Sequence, residues 1–135
     1  MSRPPVILVV DDEAHITHVV SLKLSNAGYD VHTAADGEEA LEVALSVTPD
    51  IIITDLQMPY MNGLELCAKL KERPTTRNLP VILLTARGHA LNEEEMKQTN
   101  IRQVMSKPFS PRQILDSVEA LLKEHKIEDE DSLAA

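Results

Sequence analysis

Five short apolar runs, each followed by a stretch with helical spacing, limit this chain to very few folds. The runs are Val6–Val10, Asp30–Ala34, Ile51–Thr54, Val81–Leu84 and Gln103–Ser106. The first, third and fourth are unbroken in apolar or β-branched residues, as strands buried on both faces of a parallel sheet must be. The second alternates and reads as an edge strand; the last is weak. Ala14–Ala27 carries Ile16, Val19, Val20 and Leu24 at helical spacing, and Gly28 ends it. Asp36-Gly37 opens a second helix with Ala40, Leu41, Ala44 and Leu45 as its apolar positions, and Pro49 closes it. Gly63–Glu72 is expected to place Leu64, Cys67, Ala68 and Lys71 on successive turns. Leu91–Thr99 reads as a short polar helix. Ser110 caps the last one, with Pro111 at its first position and Ile114, Leu115, Val118, Leu121 and Leu122 on one face.

Strand–helix alternation without a linker predicts one α/β domain, a parallel sheet with helices on both faces. Right-handed crossovers bring every strand-to-helix turn to one end of the sheet. Asp11-Asp12, Asp55, Thr85 and Lys107 occupy four such turns. The fold therefore gathers at one rim residues far apart in sequence. Asp55 stands where the third run stops, ahead of the turn residues Met58-Pro59 and Asn62-Gly63. An unpaired carboxylate is costly inside a strand. Its place is the open carboxyl end, beside the crevice where ligands of such sheets bind.

Composition narrows the chemistry. Net charge is −9, from 13 basic and 22 acidic residues, and three aromatics are present. No basic stripe or stacking platform stands out, so direct nucleic-acid binding is not expected. The lone Cys67 allows no internal disulfide and fits a reducing compartment. The N-terminal apolar run is too short for a signal peptide or a membrane span, so a soluble cytoplasmic protein is expected. His15 and His18 lie one turn apart but lack a third ligand nearby and read as a solvated face.

Carboxylates crowded at one rim repel. At about 4 Å and an effective dielectric of about 20, each like pair costs on the order of 4 kcal/mol. Protons or a divalent cation must offset this. Hard oxygen donors without a His or Cys cluster suit Mg²⁺. A carboxylate beside Mg²⁺ can act as a nucleophile toward phosphorus. The equatorial oxygens of the moving group then need counter-charge, which Mg²⁺, the Lys107 ammonium and the Thr85 hydroxyl are able to supply.

The set DDE at 11–13, D-x-x-MP-x-x-x-G from Asp55 to Gly63, TA at 85–86 and KPF at 107–109 resembles the receiver domain of two-component response regulators. The likeness covers about residues 5–123, read as the domain; residues 124–135 are read as an acidic, disordered tail. It implies a flavodoxin-like, three-layer sheet of order 2-1-3-4-5 with five helices. It implies that Asp55 accepts a phosphoryl group from a phosphohistidine on a sensor histidine kinase or a phosphotransfer protein. By the same resemblance, Asp11, Asp12, Asp55 and the backbone carbonyl of Gln57 hold Mg²⁺, Thr85 and Lys107 bond phosphoryl oxygens, and the Lys107–Pro108 bond is cis. The domain then loses the group slowly by itself and is not a multiple-turnover enzyme. A bacterial, stand-alone receiver that signals through a downstream protein partner is the expected form. The rivals are a phosphorylation-independent interaction module of the same fold and a Mg²⁺-dependent phosphohydrolase.

Two positions depart from the family. Val104 stands where receivers usually carry an inward-turning aromatic ring, so the conformational response is expected in Ala86–Ala90, with Gly88 as hinge, and in Leu91–Thr99. Asn100 replaces a usual glycine and is expected to adopt the left-handed conformation. Gln57 and Arg87, each two residues past a site residue, border the path of the hydrolytic water in receivers.

Overall fold

The computed structural model describes residues 3–86 and 91–134, with side chains as far as residue 124. Arg87, Gly88 and the side chains of the acidic tail lie outside the described residues. In chain order the elements are β1 (Val6–Val10), α1 (Ala14–Asn26), β2 (Asp30–Ala34), α2 (Gly37–Val47), β3 (Ile51–Asp55), α3 (Gly63–Lys71), β4 (Val81–Thr85), α4 (Glu93–Lys97), β5 (Ile101–Ser106) and α5 (Pro111–Ala134). The strands pair in parallel in the order β2-β1-β3-β4-β5. This is the doubly wound, flavodoxin-like arrangement expected from the sequence.

The period-two pleat divides each central strand between two cores. Leu8, Val10, Ile52 and Leu83 face α2 and α3, meeting Ala40, Ala44, Leu66, Cys67 and Leu70. Ile7, Val9, Ile51, Ile53, Ile82 and Leu84 face α1 and α5, meeting Val20, Leu24, Ile114 and Val118. Each such aliphatic side chain contributes roughly 1.5–3 kcal/mol when fully buried. Both faces being covered explains why these strands are apolar throughout.

Helix boundaries follow local chemistry. Asp36 caps α2 by accepting from the Glu39 N–H at 2.8 Å, and Asn62 caps α3 by accepting from Glu65 at 2.8 Å. Ser110 and Gln113 form a reciprocal capping box at the start of α5. Gly28 ends α1 at φ 101°, a conformation that favours glycine.

Several expectations are corrected. β3 and β4 each extend one residue further and include Asp55 and Thr85. β5 begins at Ile101, with a bulge opposite Val81/Ile82 that hides its start in the sequence pattern. α1 buries Val20 and Leu24 and leaves Val19 exposed. α3 buries Leu66, Cys67 and Leu70, while Ala68 is exposed and Leu64 and Lys71 are half-buried. α4 is shorter than expected and is held by a capping box between Asn92 and Glu95. Asn100 is not left-handed: among the described non-glycine residues only Thr48 and Tyr60 have positive φ. The Asn100 amide instead donates to the Arg77 carbonyl. The α5 backbone continues past residue 124, with no Gly or Pro after Pro111 to stop it. Among the described residues no helix is long and apolar enough to cross a membrane.

Candidate functional site

Three backbone bonds continue the sheet ladder one step past its strands. Asp11 N–H donates to Ala34, Leu56 N–H to Leu84 and Lys107 N–H to Thr85, at 3.2, 2.8 and 2.8 Å. They hold the rim residues nearly as firmly as the strands themselves. Gly63 fixes the far side of the loop after β3. Its N–H donates to the Leu56 carbonyl at 2.8 Å, and a Cβ there would lie 2.6 Å from the Asp55 carbonyl oxygen. Only glycine lets α3 start this close to Asp55.

Asp11, Asp12 and Asp55 each offer a carboxylate oxygen within 4.8 Å of the others. Asp11 and Asp55 are buried, at 1% and 5% exposure, and Asp12 is exposed. Lys107 Nζ lies 3.2 Å from Asp11 Oδ2 and 3.4 Å from Asp55 Oδ1. Asp11 Oδ1 accepts from the Glu13 N–H at 2.9 Å. The Lys107–Pro108 bond is cis, as expected. Thr85 adjoins this group through the Lys107 N–H bond to its carbonyl, with its hydroxyl fully buried and, among the described residues, lacking a hydrogen-bond partner. Gln57 is exposed, and among the described residues its carbonyl accepts no turn or loop hydrogen bond.

The electrostatics follow from burial and crowding. Burial pushes the Asp55 carboxyl up to about 6; the Asp11 charge adds to this and Lys107 opposes it. Asp11 is also raised by burial, against the Glu13 N–H and Lys107. Burial pulls the Lys107 ammonium down, but Asp11 and Asp55 outweigh it and the net shift is upward. One ammonium thus pairs with two of the three clustered carboxylates, and the rim favours a further cation. The donors are all oxygen, one carboxylate is open to solvent and, among the described residues, no His or Cys joins the cluster, so the set fits Mg²⁺.

The sequence analysis did not anticipate an apolar groove of about 540 Å³ beside this rim. His15, Ile16 and Val19 of α1 line one wall, and Pro108, Phe109 and Pro111 the other. Ala86 and Lys107 belong to its lining as well as to the rim turns. The adjacent Val19-Val20 pair was the available signal, since a single buried stripe has no use for both.

A family model described as the response regulator receiver domain matches residues 7–119. The chain is 38% identical over 121 residues to the alkaline phosphatase synthesis transcriptional regulatory protein PhoP of Bacillus subtilis, covering 90% of this chain and 50% of that protein. It is 38% identical over 117 residues to the transcriptional regulatory protein ResD of the same organism, covering 87% and 48%. The chain thus spans about half the length of these curated relatives. Among solved structures, the chemotaxis response regulator CheY4 of Vibrio cholerae is 34% identical with a TM-score of 0.80, over 87% of this chain and 98% of that one. With the motif residues gathered at one rim and this likeness along most of its length, the chain belongs to the family of response regulator receiver domains.

Proposed function

We propose that this chain is a phospho-accepting receiver in which Asp55 takes a phosphoryl group from a phosphohistidine protein. The observation that carries the reading is the buried Thr85 hydroxyl at the end of β4, without a partner among the described residues, next to a carboxylate that Lys107 already holds. An unsatisfied buried hydroxyl costs roughly 1–3 kcal/mol, and an arriving phosphoryl oxygen would accept its hydrogen bond.

Asp55 forms the new O–P bond through a carboxylate oxygen. The P–N bond of the donor histidine breaks, and the ring nitrogen leaves with the electron pair. Lys107 moves its ammonium from Asp55 Oδ1 to an oxygen of the transferred group, staying paired with Asp11. Thr85 donates to a second oxygen. Asp11, Asp12, Asp55 and the Gln57 carbonyl would hold Mg²⁺, which when bound supplies positive charge to the transferring oxygens. The groove between α1 and the β5–α5 turn is lined in part by Lys107, the partner of Asp55, and offers the donor protein an apolar seat. A protein partner then reads the changed surface. On this reading the chain is a bacterial cytoplasmic protein, supported by the bacterial origin of its relatives.

Intact-protein mass after incubation with a small acyl phosphate and Mg²⁺ tests the reading. The expected result is a gain of one phosphoryl group, lost on Asp55→Asn and on chelation. No gain in the wild-type chain would favour an interaction module that does not switch.

A further inference from the structure

Among the described residues, the buried polar or charged ones are Asp11, Thr54, Asp55, Thr76 and Thr85. Asp11, Asp55 and Thr85 form the acceptor rim. The Thr76 hydroxyl donates to the Leu70 carbonyl at 2.6 Å and closes the end of α3. Thr54 has no part in the site as described above. It is fully buried in β3, directly after Ile51, Ile52 and Ile53. The pleat turns it to the face of Ile52, toward α2 and α3. A valine would match its branched shape without bringing a hydroxyl into the core.

That hydroxyl donates to the Asp55 carbonyl at 3.1 Å. The carbonyl belongs to the same planar peptide as the Leu56 N–H, which donates to Leu84 at 2.8 Å. The first peptide leaving Asp55 is thus pinned at both ends, by the Thr54 side chain and by β4. The second is pinned as well, since the Leu56 carbonyl accepts from the Gly63 N–H at 2.8 Å. Turning the first peptide would change ψ of Asp55 and φ of Leu56. It would therefore re-aim the Gln57 carbonyl against the Asp55 carboxylate. Among the described side-chain, turn and loop hydrogen bonds, only Thr54 donates to the Asp55 carbonyl.

We propose that Thr54 is a positioning residue of the acceptor site. Its hydroxyl fixes the Asp55–Leu56 peptide, and with it the geometry between the Asp55 carboxylate and the Gln57 carbonyl. The inference rests on the reading of Asp55 as an acceptor beside a Mg²⁺ position.

Thr54→Val removes the hydroxyl and keeps the branching, whereas Thr54→Ser keeps the hydroxyl. The whole chain is followed by amide hydrogen exchange in chelator and by Mg²⁺ titration read from amide shifts. The net worth of one such bond corresponds to roughly a two- to ten-fold change in an equilibrium. In Thr54→Val, exchange of the Leu56 amide should quicken by about that factor while Ile52 and Ile53 hold steady, and Mg²⁺ affinity should fall by a similar factor. Thr54→Ser should retain the wild-type values of both. Thr54→Ala and Thr54→Ser, which differ by the hydroxyl alone, repeat the comparison in a smaller side chain. An unchanged Leu56 exchange, an unchanged Mg²⁺ affinity, a uniform quickening along β3, or a Thr54→Ser chain that behaves as Thr54→Val would each overturn the proposal. If the wild-type chain binds no Mg²⁺, the acceptor reading fails, and the Leu56 comparison still decides whether Thr54 fixes the peptide.

Discussion

Asp55 is poised by opposing demands on one carboxylate. Burial and Asp11 lift its pKa to about 6 from an ordinary 3.8, while Lys107 works the other way. The folded state therefore binds this proton more tightly than the unfolded chain does. The stability this adds is fully present below about pH 3.8 and is lost as pH rises through about 6. Asp55 ionisation thus destabilises the metal-free fold at neutral pH, by up to on the order of 2–3 kcal/mol. Thermal unfolding in chelator should show stability falling between about pH 4 and about pH 6. Asp55→Asn should flatten that fall and raise the neutral-pH Tm, and excess Mg²⁺ should do the same for the wild-type chain by binding only the folded state. Asp11 shifts in the same direction, so part of the slope survives the substitution. An unchanged slope and Tm in Asp55→Asn would show that Asp55 is not held up in this way.

Among the elements, those that frame the rim were the easiest to read. Val6–Val10 and the apolar runs before Asp55 and Thr85 announce themselves, because a strand covered on both faces leaves no room for polar residues. Helical phase was harder. In α3, Leu64 and Leu66 cannot share a face, and the packing of Leu66 and Leu70 against the sheet settles the choice. Tyr60 could not be foreseen either, since nothing about a tyrosine announces a positive φ. The weakest element is α4, five residues long with none buried, anchored through Leu91 and Met96. Across the sheet edge, Val104 is 38% exposed and pairs in register with Leu83. A valine is stiff at χ1 and too short to swing inward as a ring would. The response to phosphorylation is therefore expected in residues 91–99, whose local stability is low. Hydrogen exchange with and without a small acyl phosphate should change there and remain steady in Gln103–Ser106. Changes centred on β5 instead would return the response to Val104.

Taken whole, the molecule is a rigid sheet that brings Asp11, Asp12, Asp55, Thr85 and Lys107 to one rim. Their meeting was legible in the sequence because topology alone brings it about: parallel strands with right-handed crossovers leave no other place for those turns. The apolar groove beside the rim was not legible, because it depends on how α1 sits against Pro108 and Phe109. The account rests on Asp55 as the residue that becomes phosphorylated. Borohydride reduction of the chain after treatment with acyl phosphate and Mg²⁺ converts an aspartyl phosphate to homoserine, which peptide fragmentation then locates. Homoserine at residue 55 and nowhere else is the expected result. Homoserine at Asp11 or Asp12, or stable phosphate on His15, His18 or Thr85, would contradict it.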